Sequence, residues 1–110
     1  MVRVLARLVR ESVLERRSGL VPALYSTQVR YQREPKKKDE WLTALETYHA
    51  GHGDCEDLCV WLCADLIVAG DAHAQVILKD VRPGLRHALV LDGFGNVRDP
   101  SRKLGMKGPG

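Results

Sequence analysis

The stretch "GHGDCEDLCVWLCADLIVAG" (residues 51–70) decides how this chain is read. Asp54 is a good helix N-cap, because its side-chain oxygen can reach the orphan amides of a first turn. Glu56 and Asp57 follow in that turn, where the helix macrodipole favours acids. Apolar residues continue to Ala69, and Gly70 is a natural C-terminal stop. The pattern predicts a helix over 55–69 that is apolar nearly all round, hence central and buried, with Cys55 at its tip.

The helix carries all three cysteines of the chain. Cys59 and Cys63 fall about 40° and 80° around it from Cys55 and share the inward side with Leu62 and Leu66, so they are expected to pack in the core. Zinc is the sharper alternative, through Cys55 and Cys59 with His49 or His52. Against it, three cysteines along a helix span roughly 12 Å, too far for one ion to bind all of them. No metal and no cofactor is expected. An odd, clustered cysteine count also argues against a secreted disulfide framework and for a reducing, cytoplasmic compartment.

Outward from this helix, residues 2–17 read as an amphipathic helix, with Val2, Leu5, Leu8, Val9, Val13 and Leu14 near helical spacing and Gly19 and Pro22 ending it. Residues 20–33 lack a helical period, and Tyr25, Val29 and Tyr31 suggest extended chain or an edge strand. "REPKKKDEW" (33–41) reads as a charged loop, and "TALETYHA" (43–50) as a short helix closed by Gly51. After the central helix the period becomes two. "HAQVILK" (73–79) and "RHALVLD" (86–92) read as strands joined by an "RPG" turn. On the second, His87, Leu89 and Leu91 share one face and Ala88 and Val90 the other. "DGFGN" (92–96) is a hairpin loop, and "VRD" (97–99) a short third strand that Pro100 ends. The fold class is therefore α+β: a basic amphipathic helix at 1–19, then a core at 20–106 with the central helix on a small antiparallel sheet, then a frayed tail at 107–110.

The chain has 110 residues, the size of one small domain. Its net charge of +3 divides into +7 over residues 1–38 and −4 over 39–110. A basic N-terminal helix can dock on an acidic partner. No aromatic residues interleave with its basic ones, which argues against single-stranded nucleic acid. Arg3, Arg7 and Arg10 interrupt the N-terminal apolar pattern, so neither a signal peptide nor a membrane span is expected.

Cys55, His87 and Asp99 suit a thiol nucleophile system. A helix N-terminus and a nearby imidazolium both lower a thiol pKa, while Glu56 and Asp57 oppose this, which makes His87 the decisive partner. If the His87 face packs on the helix, its ring points towards Cys55. Asp99, on the next strand, can accept from the other ring nitrogen. The Cys55 backbone amide can donate to an oxyanion.

"GDCEDLCVWLCADLIVAG", "RHALV" and "VRDPSRKLGM", in that order, resemble the transglutaminase-like superfamily, closest to its small bacterial and phage-borne cysteine peptidases. The upstream "YQREPKKKDEW" resembles the segment that precedes the Gly-Asp-Cys motif in that group, so the likeness spans about residues 25–106. It implies a transglutaminase-like or papain-like core, a Cys55–His87–Asp99 triad, and acyl transfer through a thioester on a protein or peptide substrate, by hydrolysis or transamidation. It also implies a second oxyanion donor upstream of the cysteine, for which Gln28, Tyr31 and Trp41 are candidates. Crosslinking members are far longer, so the cleft of this chain must be shallow or completed by a partner. The other implied reading is a structural or assembly module of a phage particle, with chemistry weak or lost.

Overall fold

The computed structural model describes residues 2–33, 41–83 and 85–107. Most of the loop expected at 33–41, Gly84 of the expected turn and the end of the expected tail lie outside these residues. The chain forms an α+β domain. Helix α1 (Val2–Arg17) leads through a 3-10 turn (Leu24–Ser26) to the short strand β1 (Arg30–Tyr31). Helix α2 (Ala44–Ala50), strand β2 (His52–Gly53) and the central helix α3 (Cys55–Val68) follow. Strands β3 (Gln75–Arg82), β4 (Leu85–Leu91) and β5 (Val97–Arg98) then make an antiparallel sheet in that order, and a short helix α4 (Pro100–Lys103) closes the fold.

Helix α3 is the centre because its sequence has no polar stripe beyond the first turn: residues 57 to 64 are all buried. Trp61 is fully buried and donates its indole N–H to the Pro22 carbonyl, the partner that a buried indole requires. Cys59 and Cys63 are fully buried in the same cluster. Each large side chain buried here contributes about 1.5–3 kcal/mol through removal of apolar area from water.

Helix α1 belongs to that core. Leu5, Val9 and Val13 face α3 and are buried. Its polar groups also tie it down. Ser12 Oγ accepts from the buried Ala44 N–H at 2.9 Å, and Glu15 Oε1 accepts from Leu45 N–H at 2.9 Å, so α1 satisfies amides at the start of α2. Arg16 pairs with Asp65 of α3, whose other oxygen accepts from Leu24 N–H.

Several local expectations change. Tyr25 lies in the 3-10 turn, which extended residues flank at Ala23 and Thr27, and strand pairing is confined to β1, which pairs in parallel with β2. Pro100 does end β5, but it also opens α4 at its first position, where the missing N–H is no loss. The sheet face on the core is Ala88 and Val90, paired with Leu78 and Val76, and not the face of His87 and Leu89. The small Ala88 and branched Val90 allow close approach of α3, whereas an imidazole there would lie unpaired in apolar surroundings.

Candidate active site

Cys55 is the first residue of α3, fixed by a reciprocal capping box. The Asp54 carboxylate accepts from Asp57 N–H at 3.1 Å, and Asp57 Oδ2 accepts from Asp54 N–H at 3.3 Å. Oδ1 of the buried Asp57 also accepts from Leu42 N–H at 3.0 Å. One buried carboxylate therefore anchors both the cysteine turn and the segment that enters α2. Gly53 permits this packing, since a Cβ there would stand 2.9 Å from Asp57 Cβ and 3.0 Å from Thr47 Cγ2. The Cys55 N–H is among the first four of the helix and has no intrahelical acceptor, which leaves it available to a ligand oxygen.

The other half of the site comes from the sheet. Nε2 of His87 lies 3.0 Å from Oδ2 of Asp99, and His87 is buried. Oδ1 of Asp99 caps α4 by accepting from Arg102 N–H at 3.3 Å, while the Arg102 guanidinium stands 3.6 Å from Oδ2. With Asp99 ionised, the carboxylate only accepts, so Nε2 carries the ring hydrogen and Nδ1 keeps the lone pair.

Two relationships bring the halves together. Strand β5 covers only Val90 and Leu91 of β4, so the same edge is open two residues upstream, and there the Ala88 amide bears on the Cys55 sulfur and favours its thiolate. His87 is its immediate neighbour in the chain, but its side chain stands on the opposite face of β4 from the one packed on α3. The expected approach of the ring through that face is therefore not met, and among the described residues no hydrogen bond joins His87 to Cys55. The second relationship is β1. Tyr31 N–H donates to the Leu104 carbonyl at 3.0 Å, just beyond α4, and Gln32 N–H donates to the Gly53 carbonyl at 2.9 Å, just before Cys55. Strand β1 thus clamps the segment carrying Asp99 to the segment carrying Cys55.

The electrostatics of the thiol differ from expectation. Burial first, and then the Glu56 carboxylate, push Cys55 up to about 12, and the Ala88 amide offsets this only in part. The helix N-terminus does not win, because the sulfur is largely withdrawn from water and the acid beside it is of the wrong sign. Its side-chain hydrogen bond runs to Glu56 Oε1 at 3.3 Å. Burial raises Glu56 too, with Asp54 adding to it. Burial likewise pushes Cys63 up to about 12 and raises Cys59 well above the usual thiol range.

Of the three oxyanion candidates, Tyr31 is the one on which the Cys55 thiol acts electrostatically. Its hydroxyl is raised by its own burial and next by the neighbouring thiol. Trp41 is half-buried and packs against the core. Gln28 is exposed before β1, and among the described residues no hydrogen bond joins it to the site. No group of three or more His, Cys, Asp or Glu among the described residues can hold a metal ion. No helix among them is long and apolar enough to cross a membrane.

Sequence reasoning read Asp57 and Glu56 as acids that suit a helix start and oppose ionisation of the thiol, and missed the hydrogen bonds by which each takes part in the site. The Asp-x-x-Asp spacing of 54 and 57 is a capping-box signal that points to the first. No sequence signal marks the Ala88 amide, because any residue type supplies one.

No family model, curated protein or solved structure matches the chain.

Proposed function

We propose that this protein is a cysteine-dependent acyl-transfer enzyme with a transglutaminase-like core, acting on a peptide or amide. Cys55 is the nucleophile, His87 the base and then the acid, and Asp99 the group that orients the ring. The observation that carries this reading is the His87–Asp99 hydrogen bond of 3.0 Å, on the strand whose next amide favours the Cys55 thiolate. His87 Nδ1 takes the thiol proton as sulfur bonds to the substrate carbonyl carbon. The oxyanion is received by the Cys55 amide, with Tyr31 as the candidate second donor. The imidazolium returns the proton to the leaving amine as the C–N bond breaks, and water or a second amine then resolves the thioester.

A second reading, a structural or assembly module of a phage particle with weak or lost catalysis, is favoured by one observation: the thiol is pushed up to about 12 and bonded to an acid rather than to the imidazole. An aryl ester acyl donor with mass detection of the acylated protein separates the two. An adduct on Cys55 that disappears in His87→Ala supports the enzyme. No adduct at any pH between 6 and 10 supports the module.

A further inference from the structure

We propose that Glu56 is a positioning residue that latches the Cys55 thiol in a resting state, and that an acyl substrate reaches the sulfur only once this carboxylate has been displaced. The inference rests on the reading of Cys55 as a nucleophile and concerns how that nucleophile is held back.

The sulfur sits between opposed partners. From β4 the Ala88 amide favours thiolate. From α3 itself Glu56 Oε1 accepts from it at 3.3 Å, which favours thiol. Glu56 is half-buried, so its carboxylate is not free to merge with bulk water. The groups that bear on this pair are Asp54 at the N-cap, Tyr31 on β1, whose own charged neighbour is Arg33, and Cys59 one turn down α3, with His87 next to Ala88 on β4 as the base the mechanism requires. Among these Arg33 carries a fixed positive charge and is exposed, while His87 gains one only on taking a proton.

Proton counting then defines the latch. With Glu56 ionised, the thiol keeps its proton. Loss of that proton to His87 while Glu56 stays in place would set two anions in contact, away from water, which is the arrangement that raises a pKa most. The pair therefore holds one proton until the carboxylate turns away.

Geometry supplies the release. An acyl carbon must come within about 3–3.5 Å of the sulfur to react, and that is the range at which Oε1 already stands. Substrate and Glu56 compete for one shell around Sγ. The glutamate has freely rotating bonds and can leave, after which the thiol proton can go to His87.

The test is alkylation of the full chain by iodoacetamide as a function of pH, with Cys55 followed by peptide mass mapping. Glu56→Gln keeps an acceptor of the same shape and removes the charge. The midpoint is expected to fall by about one pH unit or more, which makes labelling at pH 7 about tenfold faster. Labelling within about twofold of wild type across the pH range, with an unchanged circular dichroism spectrum, overturns the latch. Should Glu56→Gln not fold, the wild-type chain serves. Side-chain carboxyl NMR of labelled glutamate is read before and after Cys55 is capped with methyl methanethiosulfonate. Loss of the S–H donor is expected to raise the Glu56 midpoint, and an unmoved midpoint overturns the proposal. Neither readout needs turnover. A chain that shows the shift yet never acylates retains the latch and loses the enzymatic reading.

Discussion

Asp99 uses its two oxygens for two tasks: Oδ2 lies 3.0 Å from His87 Nε2, and Oδ1 caps α4 through the Arg102 amide at 3.3 Å. Orientation of the ring and the start of the last helix are therefore one structural event. Asp99→Asn separates them, because asparagine still caps a helix while its amide hydrogens face Nε2 and push the ring hydrogen to Nδ1. Acyl transfer is expected to fall on the order of 10²–10⁴-fold in Asp99→Asn with little change in melting temperature. A variant as active as wild type removes Asp99 from the mechanism.

The three thiols should separate by accessibility. Cys59 and Cys63 are fully buried, whereas Cys55 is only partly so. Native-state labelling is expected at Cys55 alone. With that thiol up at about 12, the rate rises by about tenfold per pH unit and shows no plateau near neutrality. A plateau below pH 8 would mean that an imidazolium already holds a thiolate.

Asp57 predicts a pH dependence of stability. Burial and then the Asp54 charge raise it from 3.8 to about 8 in the folded chain. A raised folded value means that the native state binds the extra proton, so the contribution is fully present below about 3.8 and is lost as pH rises through about 8. The advantage of wild type over Asp57→Asn, measured by urea unfolding, should shrink across that window. An advantage that grows with pH contradicts the assignment.

Ser12→Ala tests the weld between the first two helices. It strands the Ala44 amide, which is fully buried. The expected loss is about 1–3 kcal/mol, the penalty for a buried donor left without an acceptor. A loss below about 0.3 kcal/mol in chemical denaturation means that water replaces the hydroxyl.

Gly53→Ala probes the space behind the cysteine turn. The new methyl would meet Asp57 Cβ at 2.9 Å and Thr47 Cγ2 at 3.0 Å. Overpacking of this kind costs about 1–3 kcal/mol. Because Gly53 directly precedes the cap residue, Cys55 labelling should change along with the melting temperature. A neutral substitution means that β2 shifts freely.

Much of the architecture is written locally. The capping residues at Asp54, the largely apolar run after the first turn and the glycine at 51 define α2 and α3, and Gly51 takes φ 84°, the left-handed conformation that favours glycine. Period-two alternation marks β3 and β4, and the helical spacing of Leu5, Val9 and Val13 marks α1. These features depend on neighbours within a few residues, so they survive as sequence patterns. Which face of β4 meets α3 is different in kind. Both faces read as apolar, and only the fit of Ala88 and Val90 against the helix decides between them.

For the candidate site, the residue types and their order were legible: a thiol at a helix start, an imidazole on a strand, a carboxylate past a hairpin. Their mutual placement was not. The meeting of Cys55 with the β4 edge depends on β5 stopping after two residues and on β1 joining two distant segments, and the charge state of the sulfur depends on how far water is excluded around it. Sequence determined which groups can react, because chemistry belongs to side chains. Tertiary structure decided whether the thiol is poised or held back, because solvation and the nearest charge are properties of the packed chain and not of any residue alone.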